Sequence, residues 1–474
     1  PTKTAVADPR SSYSYKELVD KVFQLERELR QKNICPGDSV LVECTQDTAF
    51  VALDLACELL GAIFVPLEKK ATNERVKGIF SETKAKCILG ESDYAFVGAY
   101  YNVNEFFKSA EKQPASVEKG SEKPLLPAEI LFTTGTTGQP KGIIISHVAN
   151  IAVAENICCG VEMKANTVEL IPLPLSHSHG LRTCYANLVN GSTAVIMDGV
   201  MNVGLFFKLI EEYKVNAIDI SPTLAKLLLK IAKKGLLKCA DVIDYIEIGT
   251  AVLEDETKQQ LKTIFPKARL YNFYGSTEAG RTCVLDFNSF DETGCIGFPA
   301  KNASFYIVDD KRSVIHSSKD NPGLIAVAGK MMMDGYLNSE ELTKETLVNG
   351  ILYTNDLGYV DENGRIYVIG RQDDIINYKG IKIAPEEIES VALRFDGISD
   401  CACVPIPDKV CGQVPKLFIS VDPAYLYDEK RFIAYLKENL EASRIPAQIE
   451  VIDKIPRSSN GKLQRKRLRN DEAK

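Results

Sequence analysis

From Tyr13 to about Cys283 the apolar positions switch repeatedly between two spacings. "DSVLVEC" (38–44) is an apolar run of strand length. "AFVALDLACELL" (49–60) repeats its apolar residues at helical spacing and stops at Gly61, and "AIFVPL" (62–67) reads as the next strand. The same order returns in "VNAIDIS" (215–221), "PTLAKLLLKIAKKG" (222–235), "DYIEIG" (244–249), "EDETKQQLKTIF" (254–265) and "ARLYNFYG" (268–275). Strand, helix, strand in succession predicts parallel pairing through helical crossovers, and so stacked α/β layers. After Cys283 the texture becomes short strands with turn signals, as in "GLIAVAG" and "RIYVIG". Asn363-Gly364 between two such runs is a hairpin signal. Beyond "GRQDD" two further helical patterns, "APEEIESVALRF" and "EKRFIAYLKENL", suffice for a small separate domain. The fold class expected is therefore α/β: a large N-terminal domain (1–372) of layered α/β subdomains plus a small β-barrel-like section, and a small α+β C-terminal domain (373–474).

A chain of 474 residues is too long for one core, and 45% apolar with 26% charged residues is ordinary for a soluble globular protein. The longest apolar stretch, Phe50 to Val65, carries Asp54 and Glu58 and is too short to span a bilayer, so no membrane insertion is expected. No signal-peptide pattern follows Pro1, and a cytoplasmic location is the expectation. The 13 cysteines are odd in number and scattered, without a CxxC pair and with only His147, His177, His179 and His316 in the chain. Reduced thiols packed as small apolar side chains account for them better than a zinc site. A net charge of −7 argues against nucleic-acid binding, the basic run "KLQRKRLR" being the local exception. Lys112–Lys123 reads as a polar surface linker.

"TTGTTGQPKG" (133–142) lies between two apolar runs and has the composition of a phosphate cradle: glycines admit an anion to backbone N–H groups and threonines add donors. It is not a Walker A loop. Counting from Gly135, the second glycine position holds Pro140, and Lys141 is followed by Gly142 instead of Ser or Thr. The β-branched "GIIIS" that follows is a strand rather than a helix, so the loop joins two strands; by composition alone it could be a hairpin without chemistry.

The order "LFTTGTTGQPKG" closely resembles the phosphate loop of the acyl-adenylate-forming superfamily, the AMP-dependent synthetases and ligases that include acyl-CoA synthetases, peptide-synthetase adenylation domains and firefly luciferase. The resemblance runs from about Tyr13 to Arg467. It implies that Thr133, Thr134, Gly135, Thr136, Thr137, Gly138 and Lys141 hold the β- and γ-phosphates of ATP. "NFYGSTE" (272–278) is the second match. Tyr274 offers a flat face for adenine, Asn272 an amide for its amino edge, and Thr277 with Glu278 oxygens for a magnesium-bound phosphate. The resemblance adds Phe273, Gly275 and Ser276 to the nucleotide site, makes Glu278 the Mg2+ ligand and puts Thr277 on the α-phosphate. "IEIGTAVL" stands where the family has a Gly-Gly-Ala-Pro-Leu turn, so Gly249 and Ala251 carry over while Thr250 and Val252 depart.

"YTNDLG" matches a Thr-Gly-Asp-x-Gly pattern, with Asp356 for the ribose hydroxyls and Asn355 replacing a glycine. In "GRQDDIINYKGIKIAPEEIE" the resemblance assigns Arg371 to ribose and phosphate, Asp373 to an interdomain hinge and Gly380 to the pantetheine arm; Asn377 replaces a frequent lysine. "LPLSHSHG" places His177 as a gate of the acyl pocket and His179 in its wall, although either could be a structurally satisfied histidine. Arg182 could pair with a second substrate carboxylate or face solvent. "IPRSSNGKLQRK" makes Lys462 the adenylation lysine, against the alternative of a solvated basic tail.

The function implied is ATP-dependent activation of a carboxylic acid to an acyl-adenylate with loss of pyrophosphate, then transfer to a thiol. Catalysis would rest on Lys462, Glu278, Thr277 and His177, with ATP and Mg2+ as cofactors and coenzyme A as cosubstrate. One orientation of a mobile C-terminal domain would present Lys462, the other the Gly380 loop. A carrier-protein phosphopantetheine is the alternative acceptor, and a non-catalytic ATP-binding homologue the alternative of another class. No acidic residue follows the phosphate loop in "PLSHSHGLRTCYAN" to pair with an ammonium, so an α-amino acid substrate is not expected; fatty, aromatic and dicarboxylic acids stay open.

Overall fold

A computed structural model of the chain describes residues 2–115, 127–134, 140–379, 381–457 and 463–470. Gly135, Thr136, Thr137, Gly138, Gly380, Lys462 and most of the Lys112–Lys123 linker lie outside the described residues. The described residues form two compact units, one built from 2–134, 140–305 and 327–352 and the other from 306–326 and 353–470. Arg371–Asp374 lies inside the second unit.

The first unit holds two sheets. In one, the parallel strands Arg269–Ser276, Tyr245–Ile248, Ala217–Ile220, Val168–Ile171, Thr193–Ile196 and Thr4–Ala7 lie side by side in that order. Antiparallel Gly280–Asp286 and Cys295–Pro299 extend it beyond Arg269–Ser276. The other is seven-stranded, with Gly335–Tyr336, Pro140–Ser146, Pro127–Thr134, Ile63–Leu67, Ser39–Glu43, Cys87–Gly90 and Tyr100–Asn102 in order. The local chemistry explains the crossovers. Asp47 caps helix Thr48–Leu60 by accepting from the Phe50 N–H, and Gly61, at φ +84°, ends it in the left-handed conformation that glycine adopts without strain. The helix expected over 222–235 instead divides at Ala232 into Pro222–Ile231 and Lys233–Cys239.

In the second unit the antiparallel expectation holds: residues 356–360 pair with Ile366–Arg371 across the Asn363-Gly364 turn, where Gly364 has φ +80°. The described strands of this section do not close into a barrel. Further on, Ile398–Asp408 and Gly412–Val421 form a long hairpin whose two faces bury different partners. Cys401, Cys403, Leu417 and Ile419 pack under Ile388, Phe432 and Leu436, while Ala402, Val404 and Phe418 pack against Ile455 and Leu468, as the two-residue period of a strand requires. Among the described residues no helix is long and apolar enough to cross a membrane.

Candidate functional site

The motif "NFYGSTE" ends strand Arg269–Ser276 and turns directly into Gly280–Asp286. The turn is tight enough that a Cβ on Gly275 would stand 1.9 Å from the Gly280 carbonyl oxygen, and Gly280 itself has φ +64°. Only glycine meets both requirements. Strand alternation separates the side chains before the turn. Asn272 and Tyr274 are half-buried, with the Tyr274 ring centroid 6.3 Å from that of Phe305. Phe273 is turned away from them. Its ring is buried beneath the Arg281 guanidinium, 4.8 Å from the ring centroid, so of the consecutive residues in this motif its side chain lies on the other face of the strand. The Oδ1 of Asn272 is buried and has no hydrogen-bond partner among the described residues, an acceptor that an exocyclic amine would satisfy.

The phosphate-loop strands pair antiparallel, Thr133 opposite Lys141 and Thr134 opposite Pro140, so 135–139 joins two strands as the sequence requires. The Lys141 Nζ lies 5.5 Å from the centroid of the Tyr336 ring. The Tyr336 hydroxyl donates to Glu278 Oε1 at 3.1 Å, and the Met333 N–H donates to the Glu278 carbonyl at 2.8 Å. Two motifs more than a hundred residues apart in sequence thus converge on one tyrosine that sequence reasoning did not single out. Thr277 occupies the turn, and the Ser276 hydroxyl accepts from the Ala279 N–H at 3.2 Å. Glu278, Thr277 and neighbouring hydroxyls are hard oxygen donors, a set that suits Mg2+. No group of three or more His, Cys, Asp and Glu among the described residues competes as a metal centre.

The two histidines of "SHSHG" sit in different settings. His177 precedes helix Ser178–Asn190, its Nε2 3.7 Å from Glu68; burial holds its pKa below the ordinary value, opposed by Glu68 and assisted by Arg75. The Nε2 of His179 lies 2.7 Å from Asp219. Burial, with Arg281 nearby, lowers the His179 pKa, while Asp219, despite burial, is kept below the usual carboxylate range by His179 and Arg281. A neutral imidazole facing an ionised carboxylate must donate from Nε2. Gly249 is buried against this ring: a Cβ there would lie 3.2 Å from His179 Cε1. Thr250 follows at φ +80°, the left-handed region, where the resembled family has glycine; Ala251 is half-buried beside it.

Arg182 is placed otherwise than expected. Its side chain is 2% exposed and donates to Glu129 at 3.1 Å and Ser178 at 3.1 Å, so its charge is neutralised inside the protein instead of facing substrate or solvent. Glu129 precedes the phosphate-loop residues on strand Pro127–Thr134, and a partner fifty residues upstream left no local signal.

In the second unit Asp356 and Arg371 stand directly opposite each other on the hairpin, so two residues assigned from separate motifs share one register position. Asn355 donates to Asp373 at 3.5 Å, and its carbonyl accepts from the Gln372 N–H at 2.7 Å. The substitution at 355 therefore reaches the expected hinge residue. Arg457 and Leu463, which flank 458–462, are bridged backbone to backbone. Arg457 donates to both oxygens of Asp400 at 2.7 and 2.8 Å, and Arg465 to both oxygens of Glu389 at 2.8 and 2.7 Å. Arg465 and Arg469 also pair with Asp374.

Two family profiles match the chain. The profile of the AMP-binding enzyme family matches residues 1–337, and that of the AMP-binding enzyme C-terminal domain matches 387–462. The chain is 27% identical to 4-coumarate–CoA ligase 2 of Nicotiana tabacum, covering 96% of this chain and 89% of the relative, and 26% identical to the 4-coumarate–CoA ligase of Vanilla planifolia, covering 97% and 88%. Among solved structures it resembles ATP-bound MatB of Rhodopseudomonas palustris, with TM-score 0.90 and 22% identity over 99% of this chain and 96% of that one. It also resembles the o-succinylbenzoate coenzyme A synthetase MenE of Bacillus subtilis in complex with ATP and magnesium ion, with TM-score 0.88 and 24% identity over 99% and 97%.

Proposed function

The chain belongs to the AMP-binding enzyme family, and from that premise we propose that it is an ATP-dependent acid–thiol ligase. A carboxylate attacks the α-phosphorus of ATP and expels pyrophosphate; a thiol, that of coenzyme A, then attacks the acyl-adenylate carbonyl and releases AMP. The observation that carries this reading is the convergence of Lys141 and Glu278 on Tyr336, which joins a phosphate-binding loop to an oxygen-donor turn. The relatives' names, 4-coumarate–CoA ligases, support coenzyme A as the thiol and favour an aromatic acid.

Tyr274 stacks on adenine and the buried Oδ1 of Asn272 accepts from its amino group. Asp356 takes the ribose hydroxyls as an acceptor-only carboxylate, with Arg371 alongside. Lys141 and the 133–138 hydroxyls and N–H groups hold the departing phosphates. Glu278, with Thr277 beside it, would hold Mg2+, which when bound neutralises phosphate charge. Lys462 stabilises the charge moving between carboxylate and α-phosphate. His177 lines the entrance to the acyl pocket, and Asp373 is the pivot about which the segment containing Gly380 exchanges with the one containing Lys462. Arg182, already paired with Glu129, does not recognise a second carboxylate, which disfavours dicarboxylic acids.

The test is a hydroxylamine-trapping screen over aromatic, fatty and dicarboxylic acids with ATP and Mg2+, followed by coenzyme A or a phosphopantetheinyl carrier protein with the best acid. Hydroxamate formation with an aromatic acid and thioester formation with coenzyme A are expected. No hydroxamate from any acid would sink the ligase reading; a thioester on the carrier alone would replace the acceptor. Lys462→Ala should abolish acid-dependent pyrophosphate exchange and still make thioester from supplied acyl-adenylate.

A further inference from the structure

We infer that Tyr336 is a positioning residue of the adenylation site, holding the Glu278 carboxylate by its hydroxyl and carrying the Lys141 ammonium on its ring. The inference rests on the ligase reading above and deepens it, because it names the group that makes the metal side and the phosphate side of that site one mechanical unit.

Tyr336 is well fixed to do so. It is 9% exposed, and its strand Gly335–Tyr336 pairs with the exit strand of the phosphate loop, Tyr336 opposite Ile143 and Gly335 opposite Ile144. Its N–H donates to Thr343 Oγ1 at 2.9 Å, and the adjacent Leu337 N–H donates to the Gly142 carbonyl at 2.8 Å. Gly142 allows this approach, since a Cβ there would come within 2.9 Å of Leu337. The segment 333–336 grips Glu278 twice, by the Met333 N–H on its carbonyl and by the Tyr336 hydroxyl on Oε1.

A donor on one oxygen of a ligating carboxylate fixes its rotamer and its approach to a cation. Losing such a donor typically weakens metal affinity or activity by 10- to 100-fold. The aromatic face below Lys141 acts separately, as an electrostatic seat for the ammonium.

The experiment measures ATP binding calorimetrically across a Mg2+ series, and Mn2+ binding to the ATP-loaded protein by electron paramagnetic resonance, for the unsubstituted chain, Tyr336→Phe and Tyr336→Leu. Thermal melting verifies that both variants fold. Tyr336→Phe should raise the Mg2+ concentration for half-maximal ATP binding by about tenfold and weaken Mn2+ binding similarly, leaving cation-free ATP affinity unchanged. Tyr336→Leu should show the same metal defect and also lose about threefold in cation-free ATP affinity, because the seat under Lys141 is gone. An unaltered Mg2+ dependence in Tyr336→Phe overturns the assignment, and so does an equal loss of ATP affinity with and without cation, which marks a purely structural role. If the unsubstituted chain itself shows no Mg2+-dependent ATP binding, the ligase reading fails and Tyr336 has no such task.

Discussion

In the first unit Arg281 meets Asp219 and Glu247, carboxylates that stand directly opposite each other on neighbouring parallel strands. In the second unit Arg465 and Arg469, on the short helix Arg465–Asn470, meet Glu386 and Glu389 from helix Pro385–Ala392 and Asp374 from the turn beside the proposed hinge. The first network compensates a charge conflict within a sheet whose backbone ladder already fixes its geometry. The second joins three segments that are separate in sequence. It follows that a buried arginine serves as scaffold in one place and half-buried arginines as couplers in the other: Arg465 lies three positions after Lys462 and ties its segment to the residue following Asp373.

The sharpest way to break this contrast is to remove each arginine. Arg281→Met strands two buried carboxylates and should cost about 4 kcal/mol in urea unfolding, lowering pyrophosphate exchange and thioester formation together. A cost below about 1 kcal/mol would mean that the sheet tolerates the facing acids unaided. Arg465→Met should cost somewhat less, about 3 kcal/mol, and should depress exchange well beyond thioester formation from supplied acyl-adenylate. Equal loss in the two half-reactions would make both arginines scaffold.

A subtler probe of the first unit is pH. Burial raises Glu169 from 4.5 to about 7, with Asp219 adding to the shift and Asn187 and Tyr245 opposing it. The folded chain therefore holds a proton that the unfolded chain releases, and stability declines as pH rises from 4.5 to about 7. Glu169→Gln should reduce that decline, as read from melting temperatures at the two ends of the window, while buried Asp54 and Glu247, whose pKa values are also raised, maintain the rest. An unchanged slope would show that Glu169 ionises freely in the fold. The smallest effect expected is at Thr250, a β-branched residue at φ +80°. Thr250→Gly should gain about 1 kcal/mol by relieving the left-handed backbone, measurable as a higher melting temperature.

Much of this architecture was readable in one dimension because its causes are local. Helix Thr48–Leu60 follows from its capping Asp47 and stopping Gly61, and the Asn363-Gly364 turn is what brings Asp356 opposite Arg371. Gly275 of "NFYGSTE" and Gly142 at the end of the phosphate loop announce close backbone approach by their identity alone. Arg182 shows where such reading ends. Its charge suggested a ligand, yet the partner that neutralises it, Glu129, comes from a distant strand, and nothing in the spacing of the two residues reports their contact. Phe273 shows a second limit: a motif names consecutive residues, but a strand sends alternate side chains to opposite faces.

The chain's order of polar and apolar residues therefore settles which segments become strands, helices and tight turns, since those depend on backbone preferences and on neighbours a few positions away. Packing settles which of its charges are free to act. Whether an arginine, a histidine or a tyrosine meets solvent, substrate or a buried carboxylate depends on contacts across large sequence separations, and on the dielectric that burial imposes. Tyr336, without any local mark to distinguish it, acquires its place between Lys141 and Glu278 only when strand Gly335–Tyr336 docks beside the phosphate loop.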